Sequence, residues 1–341
     1  MRSPDDDGIV TSIREGRGLK FEVAADVQVQ PKRWLIDELL PCPKLFEVSG
    51  LPGSSKTTLA SYISAILTRE PREVFDGHLA RGPMNVAIAS VEDDPGDTLR
   101  PRVEAHGGDL SRVFFPEPFS LPKEIDALVE FVRENSIRLL WLDPAEAYLQ
   151  GDLHTNHESR RTLACLQHVH DAGCSIGFIR HLRKASNGPA MYRSTGSVGL
   201  VAATRAAFIL AEDPDDEQCR VLATSKFNLG RPPQSLRFRV EEVADQPTLR
   251  FDGTSSLRAD SLAQDPDPEQ ASALEEACQF LETALQDGPR LVRDVLREAR
   301  EIGVSERTLK RARSRLGVQT DKRGRSSGKD GEGQPAWRIF L

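Results

Sequence analysis

The stretch "GLPGSSKTT", residues 50–58, gathers glycines, serines, a lysine and two threonines into nine positions. Such a loop leaves backbone N–H groups free to surround an anion, while the lysine adds a point charge and the next hydroxyl can join a hard cation. The residues concerned are Gly50, Gly53, Ser54, Ser55, Lys56, Thr57 and Thr58, with Thr57 on the cation side. "KLFEVS" before it reads as a strand and "TTLASYISAILTR" after it as a helix, the setting in which a phosphate loop works. A glycine-rich turn carrying a surface lysine is the alternative. Ser55 departs from the usual pattern, which has glycine before the lysine; if the backbone there needs a positive φ, serine costs about 1 kcal/mol.

Chemistry on a phosphate needs carboxylates from other strand ends. Asp143 follows the unbroken apolar run of "IRLLWLD" and is expected to organise Mg²⁺ together with Thr57. "NVAIASVEDD" ends in Glu92 and Asp93, and Glu92 is the candidate to position or activate water. His181 closes "CSIGFIRH", where it could sense a γ-phosphate. The plainer alternatives are a strand-ending aspartate, a solvated acidic turn and a surface histidine.

These residues need a scaffold that brings strand ends together. From residue 44 onward, near-continuous apolar runs alternate with helical patterns, which argues for an α/β fold with a mainly parallel sheet covered on both faces. "AAFILA", "RVLATSKF", "SLRFRVE" and "PTLRFDG" follow closely on one another and read as hairpins extending the sheet edge. Residues 1–30 read as an irregular arm, and "PKRWLIDELLP" as a short amphipathic piece. Domain boundaries fall at 31–255 for the α/β core, 256–270 for a Ser/Asp/Pro-rich linker and 271–341 for a small C-terminal domain.

Composition limits the function classes. With 341 residues and 38% apolar content, the chain can bury a core and suggests about two domains. No apolar run reaches the length of about 18 residues that a membrane span needs. The acidic start "MRSPDDDGIV" does not read as a signal peptide. Five scattered cysteines without a CxxC pair disfavour metal and disulfide frameworks and suit a reducing cytoplasm. The net charge is −7, yet residues 289–325 hold twelve Arg or Lys against five Asp or Glu, a local +7. A basic block on an acidic body is the asymmetry of a nucleic-acid contact.

That block reads as a winged helix-turn-helix. In "SERTLKRARSRLG", Ser305 is the N-cap, Val304 and Leu309 form a staple, and Leu309, Ala312 and Leu316 share the inward face. Arg307, Lys310, Arg311 and Ser314 then face outward, as a recognition helix requires, and Lys322, Arg323 and Arg325 belong to a wing. Protein docking is the other common use of this unit.

Residues 31–255 resemble the RecA-like AAA ATPases of phage and plasmid replication modules, relatives of the RepA hexameric helicase. The resemblance rests on "RWLIDELLP", "GLPGSSKTT", "VEDDPGDTLRPRVEAHGGDLSRV", "LLWLDPAEAYLQGD", "RHLRKA", "STGSVGLVAATRAAFIL" and "SKFNL". It implies ATP and Mg²⁺ as cofactors, with Lys56 and Thr57 on phosphate and metal, Glu92 as catalytic carboxylate, Asp143 as the metal-organising acid and His181 as sensor. It further implies a homo-oligomer, a hexamer, in which Lys226 reaches a neighbouring subunit's γ-phosphate. Asn228 stands where many such helicases carry an arginine finger, and Arg205 could supply that charge instead. The segment after His181, with Arg183, Lys184, Tyr192 and Arg193, corresponds to a loop facing single-stranded DNA in the ring pore; an ordinary surface loop is the alternative. The implied activity is that of a DNA helicase or motor ATPase. A DNA-binding regulator using ATP as an assembly switch is the competing class.

Overall fold

The computed structural model describes residues 14–16, 19–149, 156–182, 198–263, 268–322 and 337–340. The chain divides into two compact units, Met1–Arg33 and Trp34–Leu341. In the first, β1 (Arg14–Gly16) pairs antiparallel with β2 (Leu19–Phe21), a short hairpin where the composition suggested an irregular arm.

The amphipathic piece takes the form of two short strands, β3 (Arg33–Ile36) and β4 (Leu40–Cys42). Then come β5 (Leu45–Gly50), α1 (Lys56–Leu67), β6 (Arg72–Phe75), β7 (His78–Ala80), β8 (Asn85–Ser90), α2 (Arg100–Ala105), β9 (Val113–Phe114), α3 (Ile125–Glu134) and β10 (Ile137–Asp143). They are followed by α4 (Ala145–Tyr148), α5 (Asn156–Asp171), β11 (Ser175–His181), α6 (Val198–Ala203), β12 (Ala206–Asp213), β13 (Asp216–Phe227), β14 (Ser235–Val243) and β15 (Gln246–Ser255). A nine-stranded sheet has the order β15-β14-β13-β12-β5-β11-β10-β8-β9. The six strands from β12 to β9 run parallel, and β13, β14 and β15 extend the edge as antiparallel hairpins. β4, β3, β7 and β6 form a separate sheet in that order.

The central strands are apolar on both faces because both are covered. On one face Phe46, Val48, Leu139, Trp141, Ile179 and Phe208 pack with Leu59, Ile63 and Ile66 of α1. The rings of Phe46 and Trp141 meet edge to face at 5.2 Å. On the other face Leu45, Leu140, Leu142, Ile176 and Phe178 pack with Leu128 and Val132 of α3 and Leu166 and Val169 of α5. Full burial of each such side chain contributes about 2 kcal/mol, so these layers hold the strand ends in place.

Within the expected linker, α7 (Ala259–Ala263) forms a helical turn whose Ala259 and Ala263 are buried against Ile209 and Ala223. Its alanines and Leu262 share a helical face too short to stand out from the Ser/Asp/Pro background. The C-terminal elements are α8 (Pro268–Leu285), β16 (Arg290–Leu291), α9 (Val292–Glu301), α10 (Glu306–Arg315), β17 (Gln319–Lys322) and β18 (Trp337–Phe340). Three helices and a small antiparallel sheet of order β16-β18-β17 enclose Leu274, Leu281, Val295, Leu309, Ala312 and Ile339. Ser305 Oγ accepts from the Thr308 N–H at 3.1 Å at the start of α10. Among the described residues, no helix is long and apolar enough to cross a membrane.

Candidate active site

The parallel strands β5, β8, β10 and β11 end together at one rim of the sheet, with Gly50 opposite His181 and Asp143 opposite Ser90. α1 starts at the same rim, so its free N–H groups point at the space between the strand ends. Carboxyl ends of strands are where open α/β sheets hold ligands.

Backbone geometry explains the composition of the loop. A Cβ on Gly50 would lie 2.4 Å from the Leu210 carbonyl oxygen and 2.4 Å from Ser54 Oγ, so only glycine fits there. Ser55 stands at φ 68°, ψ 29°, in the left-handed region, and its side chain makes no capping hydrogen bond to α1. The buried Ser54 Oγ has no hydrogen-bond partner among the described residues.

Lys56 is buried, and its Nζ donates to the Leu51 carbonyl at 2.9 Å. Burial lowers its pKa, against the pull of Asp143 and Glu92. Thr57 Oγ1 donates to Asp143 Oδ2 at 2.5 Å, bringing together the two oxygen ligands expected at the cation, while Thr58 is buried in α1. Asp143 is itself buried, which raises its pKa to about 6; the Thr57 hydrogen bond and Lys56 work the other way, and Glu92 and Asp93 add to the rise. The orphaned Ser54 hydroxyl, the N–H groups of α1 and the hard oxygen pair Thr57–Asp143 fit a Mg²⁺–nucleotide.

Glu92 is set by local bonds. The Val91 N–H donates to the Asp143 carbonyl at 3.1 Å, and Ser90 Oγ accepts from the N–H groups of Glu92 and Asp93 at 3.3 and 3.1 Å. Arg102 engages Asp93 at 2.9 Å. Glu92 remains exposed, its Oε1 3.6 Å from His181 Nε2. Lys56, Thr57, Asp143, Glu92 and His181 therefore share one rim.

Lys226 and Arg205 lie elsewhere. Ala207 pairs with both Glu47 and Lys226, and Ala206 pairs with Phe46, four residues before Gly50. At about 3.3 Å per residue, that end of the sheet is roughly 13 Å from the loop, so neither residue serves the loop of its own chain. Lys226 Nζ donates to the carbonyls of Val201, Ala202 and Thr204 at 2.8–2.9 Å, closing the end of α6. Contact with a neighbouring phosphate would require those three bonds to break. Arg205 is exposed, and its carbonyl accepts from the Asn228 N–H at 2.9 Å.

Of the expected DNA contacts, Arg307 and Lys310 are exposed on α10 and Arg311 is half-buried. Arg307 Nε is paired with Asp215 Oδ1 at 3.0 Å, in the turn between β12 and β13. Ser314 lies on α10 and Lys322 ends β17. Arg183, Lys184, Tyr192, Arg193, Arg323 and Arg325 lie outside the described residues.

The residue patterns did not single out Arg180, Glu47 and Glu146. Arg180 is fully buried, with Nη1 3.0 Å from Glu47 Oε2 and Nε 3.0 Å from Glu146 Oε1. Glu47 is buried as well. The signal was present: "KLFEVS" and "GFIRH" each interrupt a strand otherwise suited to burial on both faces.

The family model that describes an AAA domain matches residues 17–187, half of the chain, and spans the loop, Glu92, Asp143 and His181. No curated protein matches the chain.

Proposed function

Because the chain belongs to the AAA domain family, we propose that it binds ATP with Mg²⁺ through residues 50–58 and hydrolyses it, acting as a RepA-like, DNA-binding ring ATPase. The observation that carries the reading is the meeting of Thr57 with Asp143 at the rim where Glu92 meets His181.

In this reading, Lys56 leaves the Leu51 carbonyl and turns to the β- and γ-phosphates. Thr57 and Asp143 would hold Mg²⁺, which would supply positive charge to offset that of the phosphates. Glu92 orients a water for in-line attack on the γ-phosphorus and takes its proton as the bond to the β-phosphate oxygen breaks. His181, beside Glu92, registers the presence or loss of the γ-phosphate and passes it to the segment that follows.

Assembly and DNA belong to the same proposal. A homo-oligomeric ring, a hexamer, would set Lys226 and Arg205 of one subunit against the nucleotide of the next, consistent with their distance from the loop of their own chain. The α-β-α-α-β-β order of residues 268–340 and the strand order β16-β18-β17 suit a winged helix-turn-helix, with α10 as its recognition helix. Replication of a phage, plasmid or other mobile element is the setting the resemblance suggests.

The regulator reading, with ATP as an assembly switch, gains support from the strained Ser55 and the intrachain engagement of Lys226. Steady-state ATP hydrolysis with and without single-stranded DNA separates the two. The motor reading predicts turnover stimulated by the strand; slow hydrolysis indifferent to DNA would favour the switch.

A further inference from the structure

We infer that Arg180 is a positioning residue of the active site, its guanidinium fixing the loop strand β5, the sensor strand β11 and the turn after Asp143 relative to one another. This deepens the ATPase reading above and rests on it.

Each member of the cluster is close in sequence to a residue of the rim. Arg180 immediately precedes His181, Glu47 lies three residues before Gly50, and Glu146 lies three residues after Asp143. Glu47 belongs to β5, Arg180 to β11 and Glu146 to α4, the short helix that β10 runs into. Successive side chains of a strand point to opposite faces, so Arg180 is set beneath the sheet where His181 is set above it. One side chain thus bonds to two of the three elements at 3.0 Å and belongs to the third.

The chemistry of the cluster argues against simple filling of space. Its face of the sheet is mostly apolar, with Phe178 and Leu142 packed there. Burying charges costs desolvation, and apolar side chains of similar volume often hold a fold as well or better. A guanidinium adds direction: its rigid fork bonds two carboxylates at fixed angles, which an aliphatic chain cannot do. Burial works against the charge on Arg180, and the charges and hydrogen bonds of Glu47 and Glu146 outweigh it, so the fork stays protonated with its five donors intact. Glu146 is the partly exposed arm, with 29% of its side chain accessible, and can be neutralised while the Arg180–Glu47 pair stays intact.

The test compares the full-length wild type with two variants: Glu146→Gln, and the neutral triple Glu47→Gln/Arg180→Met/Glu146→Gln. Measured quantities are kcat and KM for ATP, affinity for a non-hydrolysable ATP analogue, and the thermal midpoint. Misplacing reacting groups by a fraction of an ångström to an ångström lowers kcat by about tenfold to a hundredfold. That loss is expected in both variants, with KM and analogue affinity within about twofold, because each binding group remains present. The midpoint of the triple variant is expected at or above the wild-type value. Unchanged kcat in either folded variant overturns the inference and leaves the ATPase reading standing. A kcat loss matched by loss of analogue affinity or of the folded state also overturns it, since the cluster would then be structural only. A wild type that hydrolyses no ATP overturns the ATPase reading, and the inference with it.

Discussion

Replacing Ser55 by glycine tests whether the loop's departure from the usual pattern is a matter of backbone strain. At φ 68°, ψ 29° an L-residue crowds its Cβ against the following carbonyl, which costs about 1 kcal/mol. The hydroxyl returns nothing at the helix start, because it makes no capping bond there. Glycine relieves the crowding but adds about 0.5–1 kcal/mol of unfolded-chain freedom, so the net change lies between roughly 0 and 0.5 kcal/mol in favour of Ser55→Gly. The neighbouring glycines set the scale. Gly53, at φ 79° with open space around it, should lose about 1 kcal/mol as alanine, from strain alone. Gly50→Ala drives a methyl into a backbone carbonyl at 2.4 Å and should lose more, about 1–3 kcal/mol, together with phosphate affinity. Urea denaturation and ATP-analogue binding on the three variants give the order directly: Ser55→Gly at or above wild type, then Gly53→Ala, then Gly50→Ala. A Ser55→Gly protein that is clearly less stable, or binds nucleotide tenfold more weakly, would refute the strain argument and give the serine side chain a role of its own.

Lys226→Ala removes three hydrogen bonds at the end of α6, so a lower thermal midpoint is expected, by about 1–3 kcal/mol in stability, with analogue affinity unchanged. If Lys226 also acts on a neighbour, its turnover recovers partly in rings mixed with Glu92→Gln subunits; no recovery in proven mixed rings would exclude a shared site. Burial and the Lys44 charge lower the His170 pKa to about 4, whereas the unfolded value is about 6.5. Above pH 6.5 both states are neutral; as pH falls below it only the unfolded chain gains the proton, so stability drops, by at most about 2 kcal/mol at pH 5. Asp143, raised to about 6, shifts the balance the other way, so the comparison is wild type against His170→Gln at pH 7 and pH 5, where the variant should show a smaller loss. Deleting residues 268–341 should weaken duplex DNA binding and flatten its salt dependence, because the basic block at 289–325 goes with it; undiminished binding would move these helices to protein docking. Paired substitution of Arg307 and Arg311 should weaken a preferred DNA site more than random duplex, as base contacts do.

What the sequence made legible was local. "LLWL" and "SIGFI" are short, near-continuous apolar runs that read as strands covered on both faces, and the loop glycines and lysine mark their own strand-to-helix turn. The positive φ of Ser55 could be anticipated from the glycine it replaces. The Arg180 cluster could not, because it depends on β11 lying next to β5, a pairing between residues more than a hundred positions apart. The engagement of Lys226 likewise depends on where α6 ends against β13, and the pairing of Arg307 on the docking of α10 beside the β12–β13 turn. Short elements escaped for another reason: a helical turn such as α7 carries too few apolar residues to show a period.

Residues 50–58, with Asp143 and Glu92, are proposed to form a Mg²⁺-dependent ATP site. The most direct test is equilibrium titration of a fluorescent ATP analogue, with Mg²⁺, into the wild type, Lys56→Ala and Glu92→Gln. A nucleotide site of this kind predicts saturable binding by the wild type, near-equal affinity for Glu92→Gln, and loss of binding for Lys56→Ala, which lacks the charge facing the phosphates. Unchanged affinity in Lys56→Ala would contradict it.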